Sequence, residues 1–399
     1  MITIVGKYGV AEVFTDVLEE SAQEQILNLC RQPFSKGSKI RVMPDVHGGK
    51  GCVIGLTMTV SSVVCPNLVG VDIGCGVTAV KLDAQKADMK KLDWIVRHKI
   101  PAGYKIRQSP HRLASGKCLE ELHCRESADI ERALLSVGTL GGGNHFIELD
   151  RDDKGALWLM VHSGSRHLGV EVAGHYQEAG YRQRVSEMKA TKELAILNLK
   201  RDGKERDILS KLAEIEETMA FSKPLAWASG AVMGKYLHDM EIVQDFAKLN
   251  RAAIVHDIAA EMNWRILEKV ETVHNYIDLK SMILRKGAVS AQKGEELIIP
   301  LNMRDGALLC RGKGNLEWNC SAPHGAGRRM SRKTARETLS TEEFQQQMKE
   351  VYSTSVGAGT LDESPMAYKP SEEIICQLAP TVEIVGRLKP VYSFKAEGR

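Results

Sequence analysis

No run in this chain approaches 18 consecutive apolar residues, so a membrane-spanning helix is not expected. The N-terminus, MITIVGKYGV, lacks the charged region and 7–15-residue apolar stretch of a secretory signal. The nine cysteines are odd in number and include no CxxC pair, which argues against a disulfide framework and for a reducing cytoplasm. Neither sign of charge dominates: 54 Lys and Arg face 51 Asp and Glu, for a net charge of +3. Any nucleic-acid surface must therefore come from local clusters such as RGKG (311–314) and GRRMSRK (327–333). Internal repeats and low-complexity linkers are also missing. The 399 residues read best as one large catalytic domain, 1–399, with a helical insertion at 170–269.

The remaining pattern is mixed. IRVMPDVHGGKG (40–51), CVIGLTMTV (52–60) and VGVDIGCGVTAVKL (69–82) predict strands with functional loops between them. Helices are expected at 85–99, 126–136 and 341–352, a strand at 156–164, and irregular chain at 104–128. Charged residues over 183–219, broken at Asp202-Gly203, predict a helix pair. In 230–268, Met233, Leu237, Met240, Val243, Phe246, Ala247 and Ile254 recur at helical spacing. The expected class is α+β.

Five stretches each set a metal-type ligand beside glycine or asparagine. They are VDIGCG (Asp72, Cys75), GGGNHFIE (Asn144, His145), VHSGSR (His162), VHNY (His274) and PHGAGR (His324). Neutral imidazole, thiolate and carboxylate are the usual ligands of divalent transition metals. Singly, each has a plain reading: a hydrogen-bonded structural histidine, a small buried cysteine, a tight turn. The recurrence of one style at strand ends and loops favours a built site. The other histidines, 47, 98, 111, 123, 167, 175, 238 and 256, lack that context except for His47, and read as surface or structural.

Together with MPDVHGGKG (43–51), FAKLNR (246–251), RKGAVS (285–290), HGAGRRMSR (324–332) and PMAYK (365–369), these stretches resemble the RtcB RNA ligases in content and order. The resemblance implies joining of RNA 3′-phosphate or 2′,3′-cyclic phosphate ends to 5′-hydroxyl ends, in repair or tRNA splicing. It implies two Mn²⁺ ions, one on Asp72, Cys75 and His145 and the other on Cys75, His162 and His274. His324 would accept GMP from GTP. Asn144, Glu148, His274, Asn275, Met303, Gly325, Ala326, Gly327 and Lys395 would contact the nucleotide, with Glu148 reading guanine. Arg166, Lys286 and Arg328 would contact phosphates or RNA. The implied partners are GTP and broken RNA, the protein acting as a monomer. Manganese follows from the resemblance alone, because thiolate and imidazole donors suit zinc, cobalt or iron better.

The chain departs from the family's P-G-S-M-G loop, reading PLNMRDGALL (300–309), with Ala307 where a serine is expected. Pro323 stands where serine is frequent, and the chain ends FKAEGR in place of a terminal Lys-Gly. Two rival readings use the same residues. A two-metal phosphodiesterase or phosphatase of RNA ends would need neither Glu148 nor a nucleophilic His324. A non-catalytic RNA-binding protein with structural zinc would favour a closed four-ligand site, which this scattered set fits poorly.

Overall fold

The computed structural model describes residues 1–397 and has an α+β architecture. Its largest sheet contains β1 (Gly76–Leu82), β2 (Phe146–Asp152), β3 (Leu157–Ser163) and β4 (Ile266–Val273). It is completed by β5 (Glu296–Asn302), β6 (Gly306–Gly312) and β7 (Val382–Lys395). The spatial order is β4-β1-β3-β2-β7-β6-β5, and every neighbouring pair is antiparallel. Every residue of β3, LWLMVHS, is buried, as a central strand covered on both faces requires.

A second sheet, of six strands, runs in the order Ile2–Val5, Val10–Val13, Ile40–His47, Ile54–Thr59, Ile283–Lys286, Asn275–Asp278. One short two-stranded ladder pairs Ala288–Ser290 with Ser321–Pro323 and delivers the chain to His324.

Between β3 and β4 the chain is largely helical, as expected. Helix α1 (Arg166–Arg201) is followed by a turn at Asp202-Gly203, where Gly203 has φ +70°. Then come α2 (Ile208–Thr218) and α3 (Gly230–Met262). The expected helical span runs past the real end of α3. Asn263 takes the left-handed conformation (φ 58°) that terminates the helix, and residues from Ile266 onward join β4. The helix expected at 85–99 begins at Met89, where the Asp88 carboxylate caps the Lys91 N–H. That expected at 126–136 forms over Ile130–Ser136, and that at 341–352 stops at Gln347. Within VGVDIGCGVTAVKL only the part from Gly76 is strand, and the preceding residues make the turn that holds Asp72 and Cys75.

Helix α3 buries Met233, Tyr236, Met240, Val243 and Ala247 on the face that packs inward. It also buries two polar residues that tie down loops. Asn250 accepts from the Gly138 and Thr139 N–H groups and donates to the Thr139 and Gly164 carbonyls. Arg251 donates to the Gly74 and Ser163 carbonyls, the Thr78 hydroxyl and the Glu271 carboxylate. Fully buried polar groups are retained where every donor is satisfied, and here the partners are the loops that carry the predicted ligands.

Candidate metal centre and active site

The sheet register explains why distant ligands meet. Gly76 lies opposite Ser163, Val77 and Phe146 both lie opposite His162, and Val273 lies opposite Gly76. Cys75, His145, His162 and His274 therefore emerge at the same end of four antiparallel strands. The His274 N–H closes the arrangement by donating to the Cys75 carbonyl at 3.0 Å.

Cys75 Sγ stands 3.4 Å from His145 Nε2 and 3.3 Å from His162 Nε2. Asp72 Oδ2 is 3.1 Å from His145 Nε2. The far nitrogens are already committed: His145 Nδ1 bonds the Leu140 carbonyl at 2.8 Å and His162 Nδ1 that of Asn144 at 3.1 Å. Both rings thus turn a lone pair at Nε2 toward the thiol, which is how ligating histidines are oriented. The close approach needs glycine. A Cβ on Gly164 would lie 2.1 Å from Asp72 Oδ1, and one on Gly74, at φ +73°, would lie 2.8 Å from the Gln244 Cα.

Electrostatics agree with a cation-binding set. Burial works to raise the Asp72 carboxyl, but His145, Cys75 and the Ser165 N–H outweigh it and hold the group at about 2. Burial, then Asp72, pushes the Cys75 thiol well up, so a metal ion would have to displace its proton. Burial and the neighbouring imidazoles push His162 and His274 well down, leaving both neutral and able to ligate. Cys75, His145 and His162 offer donor atoms all within 4.8 Å of one another. This donor set fits a divalent transition metal.

Successive ring centroids lie 5.2 Å apart from His145 to His162, 5.1 Å to His274 and 5.0 Å to His324. The last three rings face a cavity of about 450 Å³. Behind His324, buried Asp45 accepts at Oδ2 from the His324 backbone N–H at 3.0 Å and meets Nδ1 at 2.7 Å. With Nδ1–H donated to a carboxylate, the Nε2 lone pair is the free one.

Farther along the cavity Ser393 Oγ donates to Glu148 Oε1 at 2.8 Å. Burial pushes the Glu148 carboxyl up to about 7, against the pull of Lys395 and Ser393. Two residues on, Asp150 is fully buried, with neither carboxylate oxygen hydrogen-bonded among the described residues. Burial and Glu148 push it well up, which keeps it neutral. Lys395 Nζ lies 2.6 Å from Glu363 Oε2, and Glu363 also receives the Tyr368 hydroxyl at 2.6 Å and the Arg332 guanidinium.

Asn144, Glu148, His162, His274, Met303, His324, Gly325, Ala326, Gly327, Arg328 and Lys395 all line this cavity. The structure puts three other predicted contacts elsewhere. Lys286 Nζ donates to the Lys50, Cys52 and Asn67 carbonyls at 2.6–3.1 Å, so its charge is spent on holding loops. Arg166 donates to Thr139 Oγ1 and the Gly103 carbonyl and stands behind Asp72 and Cys75. Asn275 bridges the Asp72 carbonyl and the Gly287 N–H. None of these three lines the cavity.

Sequence reasoning did not single out Glu363 or Ser393, and it placed Arg332 only within the basic cluster 327–333. Asp45 lies within MPDVHGGKG, a stretch that carries the resemblance without marking any one of its residues. The departing loop also has a structural logic. Asn302 Oδ1 accepts from the Arg304 and Asp305 N–H groups, and Met303 is buried against Phe344 and Met348. Ala307 packs in an apolar cluster with Trp158 and Leu388.

Comparison with known proteins bears on this geometry. The model of the family described as "tRNA-splicing ligase RtcB" matches residues 25–124 and 97–396. The chain belongs to the RtcB family. It is 30% identical over 420 residues to the RNA-splicing ligase RtcB of Escherichia coli (strain K12), covering 95% of each chain. It is 27% identical over 463 residues to the tRNA-splicing ligase RtcB of Archaeoglobus fulgidus, covering 96% of this chain and 93% of that protein. A relative from Methanococcus maripaludis, also named tRNA-splicing ligase RtcB, is 26% identical over 97% of this chain and 94% of its own length. Among the described residues no helix of this RtcB family member is long and apolar enough to cross a membrane.

Proposed function

We propose that the protein is an RNA ligase joining 3′-phosphate or 2′,3′-cyclic phosphate ends to 5′-hydroxyl ends through a GMP–histidine intermediate. The observation that carries this reading is His324, held at Nδ1 by buried Asp45 and one ring away from His274. A metal cluster alone would serve a phosphodiesterase; an imidazole with one nitrogen anchored and the other free is arranged to be a nucleophile.

Two Mn²⁺ ions would sit on Asp72, Cys75 and His145 and on Cys75, His162 and His274, with the Cys75 thiolate shared. When bound, such a pair supplies positive charge at the reacting phosphate. The protein's own groups do the rest. Glu148, as carboxylate, accepts the N1–H and N2–H of guanine, an edge adenine cannot match. Asn144 and the Gly325–Gly327 backbone hold the phosphates, with Arg328 and Arg332 adding charge at the cavity rim. His324 Nε2 attacks the GTP α-phosphorus and pyrophosphate leaves, with Asp45 stabilising the positive charge that develops on the ring. The RNA 3′-phosphate then takes GMP from His324, and the 5′-hydroxyl attacks that activated end and expels GMP. A cyclic end is first opened to a 3′-phosphate.

Residues 1–399 are read as one catalytic unit with 170–269 as a helical insertion, supported by α1 to α3 lying between β3 and β4. All nine cysteines are unpaired, in keeping with action in a reducing cytoplasm.

The test is incubation with GTP labelled at the α-phosphate plus Mn²⁺, followed by denaturation. Label that requires His324, ignores ATP, and is acid-labile but alkali-stable supports the mechanism. No label on protein shown to hold metal overturns it and favours the two-metal phosphodiesterase.

A further inference from the structure

His123 and His238, which lack any metal-like context in the sequence, converge in the fold. We propose that His123, His238 and Asp239 form a second divalent metal site, sharing no residue with the Cys75 cluster and suited to Zn²⁺.

The donor atoms of the three residues lie within 4.8 Å of one another. His238 Nδ1 is already 3.0 Å from Asp239 Oδ1, and the His123 and His238 ring centroids are 4.7 Å apart. Bonds of about 2.1 Å in a tetrahedral zinc site put donors about 3.4 Å apart, so only a small inward movement of His123 is needed. Two imidazoles and one carboxylate, with a remaining position for water, is a donor set zinc accepts.

The carboxylate is pre-oriented. Asp239 is fully buried and receives the backbone N–H groups of His123 and Cys124, both at 3.0 Å, and the Tyr176 hydroxyl at 2.7 Å. Ligating carboxylates are commonly fixed by such outer contacts. The His123 side chain makes no hydrogen bond among the described residues, so recruiting it breaks nothing. His238 is 43% exposed, which leaves an entry path. Binding exchanges the His238 Nδ1–H···Oδ1 contact for two metal bonds, with the imidazole's single proton carried at Nε2.

A comparable cluster shows what a non-site looks like. His111, His256 and Asp257 are equally close together, but Arg107 lies 2.6 Å from Asp257 and Arg112 lies against His256. The Leu113 N–H also occupies His111 Nδ1. Two guanidiniums already supply the positive charge there. No arginine or lysine pairs with His123, His238 or Asp239 among the described residues. The ion would tie the irregular segment around His123 to α3.

The test compares the whole wild-type protein with a His123→Ala/His238→Ala variant, both stripped with chelator and equilibrated with Zn²⁺. Zinc is then counted per chain after removal of the excess. The wild type should hold one ion more, because both chains keep the same Cys75 cluster. Wild-type crystals soaked in Zn²⁺ should show anomalous scattering between the three side chains, a readout that does not depend on the variant folding. Equal zinc counts in two folded chains, or no anomalous peak there, would overturn the site without touching the ligase reading.

Discussion

Asp45 and His324, 279 positions apart in the chain, make two contacts through one oxygen: Oδ2 lies 3.0 Å from the histidine's backbone nitrogen and 2.7 Å from its Nδ1. The first contact fixes where His324 sits and the second fixes its tautomer. An asparagine could present either an acceptor or a donor to Nδ1, and a donor would force the proton to Nε2, where the nucleophilic lone pair is needed. Asp45→Asn should therefore slow formation of the His324 adduct ~10²–10⁴-fold, by analogy with the loss of an orienting carboxylate in hydrolytic triads. GTP binding should change little. Single-turnover labelling at saturating GTP measures the first quantity and equilibrium binding the second; an unchanged labelling rate would remove Asp45 from the mechanism.

The candidate ligands stand out in the sequence because each lies in a short stretch whose glycines and apolar flanks mark a strand end. Antiparallel pairing of β1 to β4 then brings those ends together, a step that no single stretch reveals. Lys286 and Arg166 show the opposite limit. Each looks like a phosphate contact in its own segment, but its partners are carbonyls of residues 50, 52, 67 and 103, far away in sequence. Glu363 was invisible because its partners come from three separated segments: the Arg328 and Arg332 guanidiniums, the Tyr368 hydroxyl and the Lys395 ammonium. The end of α3 was misplaced because apolar periodicity continues past Asn263, where one residue's left-handed backbone stops the helix.

Glu148 should make nucleotide binding pH-dependent. Burial holds its carboxyl at about 7, so below that pH it is protonated and loses the acceptor that guanine's N1–H needs. GTP affinity should rise as pH increases through about 7 and level off above it. Glu148→Gln should flatten this profile and weaken GTP roughly 10- to 100-fold, the worth of one hydrogen bond to a charged group. Calorimetric titrations of both proteins from pH 6 to 8.5 check it. A wild-type affinity independent of pH would mean that guanine is read by other groups.

Glu363 is the counter-charge for Lys395 and Arg332. Burial alone would raise its carboxyl, yet Lys395, Arg332 and the Tyr368 hydroxyl hold it at about 2. A depressed carboxyl stabilises the fold above its unfolded value near 4.3, and that stability is lost as pH falls toward 2, in all about 3 kcal/mol. Glu363→Gln leaves Lys395 buried and unpaired, so the variant should lose several kcal/mol at pH 7. It should also show a shallower decline in stability between about pH 4.5 and 2. Urea unfolding across that range tests both, and parallel curves for the two proteins would contradict the assignment.

As a metal ligand, Cys75 should make metal binding pH-dependent, where a preformed thiolate would leave it flat. Its thiol is pushed well up by burial and by Asp72, so at neutral pH the metal-free protein carries the proton. Each ion pair formed on Cys75 must release that proton, and apparent metal affinity should rise about tenfold per pH unit wherever the thiol remains protonated. Cys75→Ala removes the shared donor while leaving His145, His162 and His274 in place, so it should bind metal far more weakly and with a flatter pH profile. Asp72 stays ionised down to about 2, and burial keeps His162 and His274 neutral, so none of these three adds a proton to the count between pH 7 and 8.5. Metal titrations at pH 7, 7.75 and 8.5, with proton release followed in weak buffer, decide the point. A wild-type affinity unaffected by pH would show that Cys75 is not a ligand.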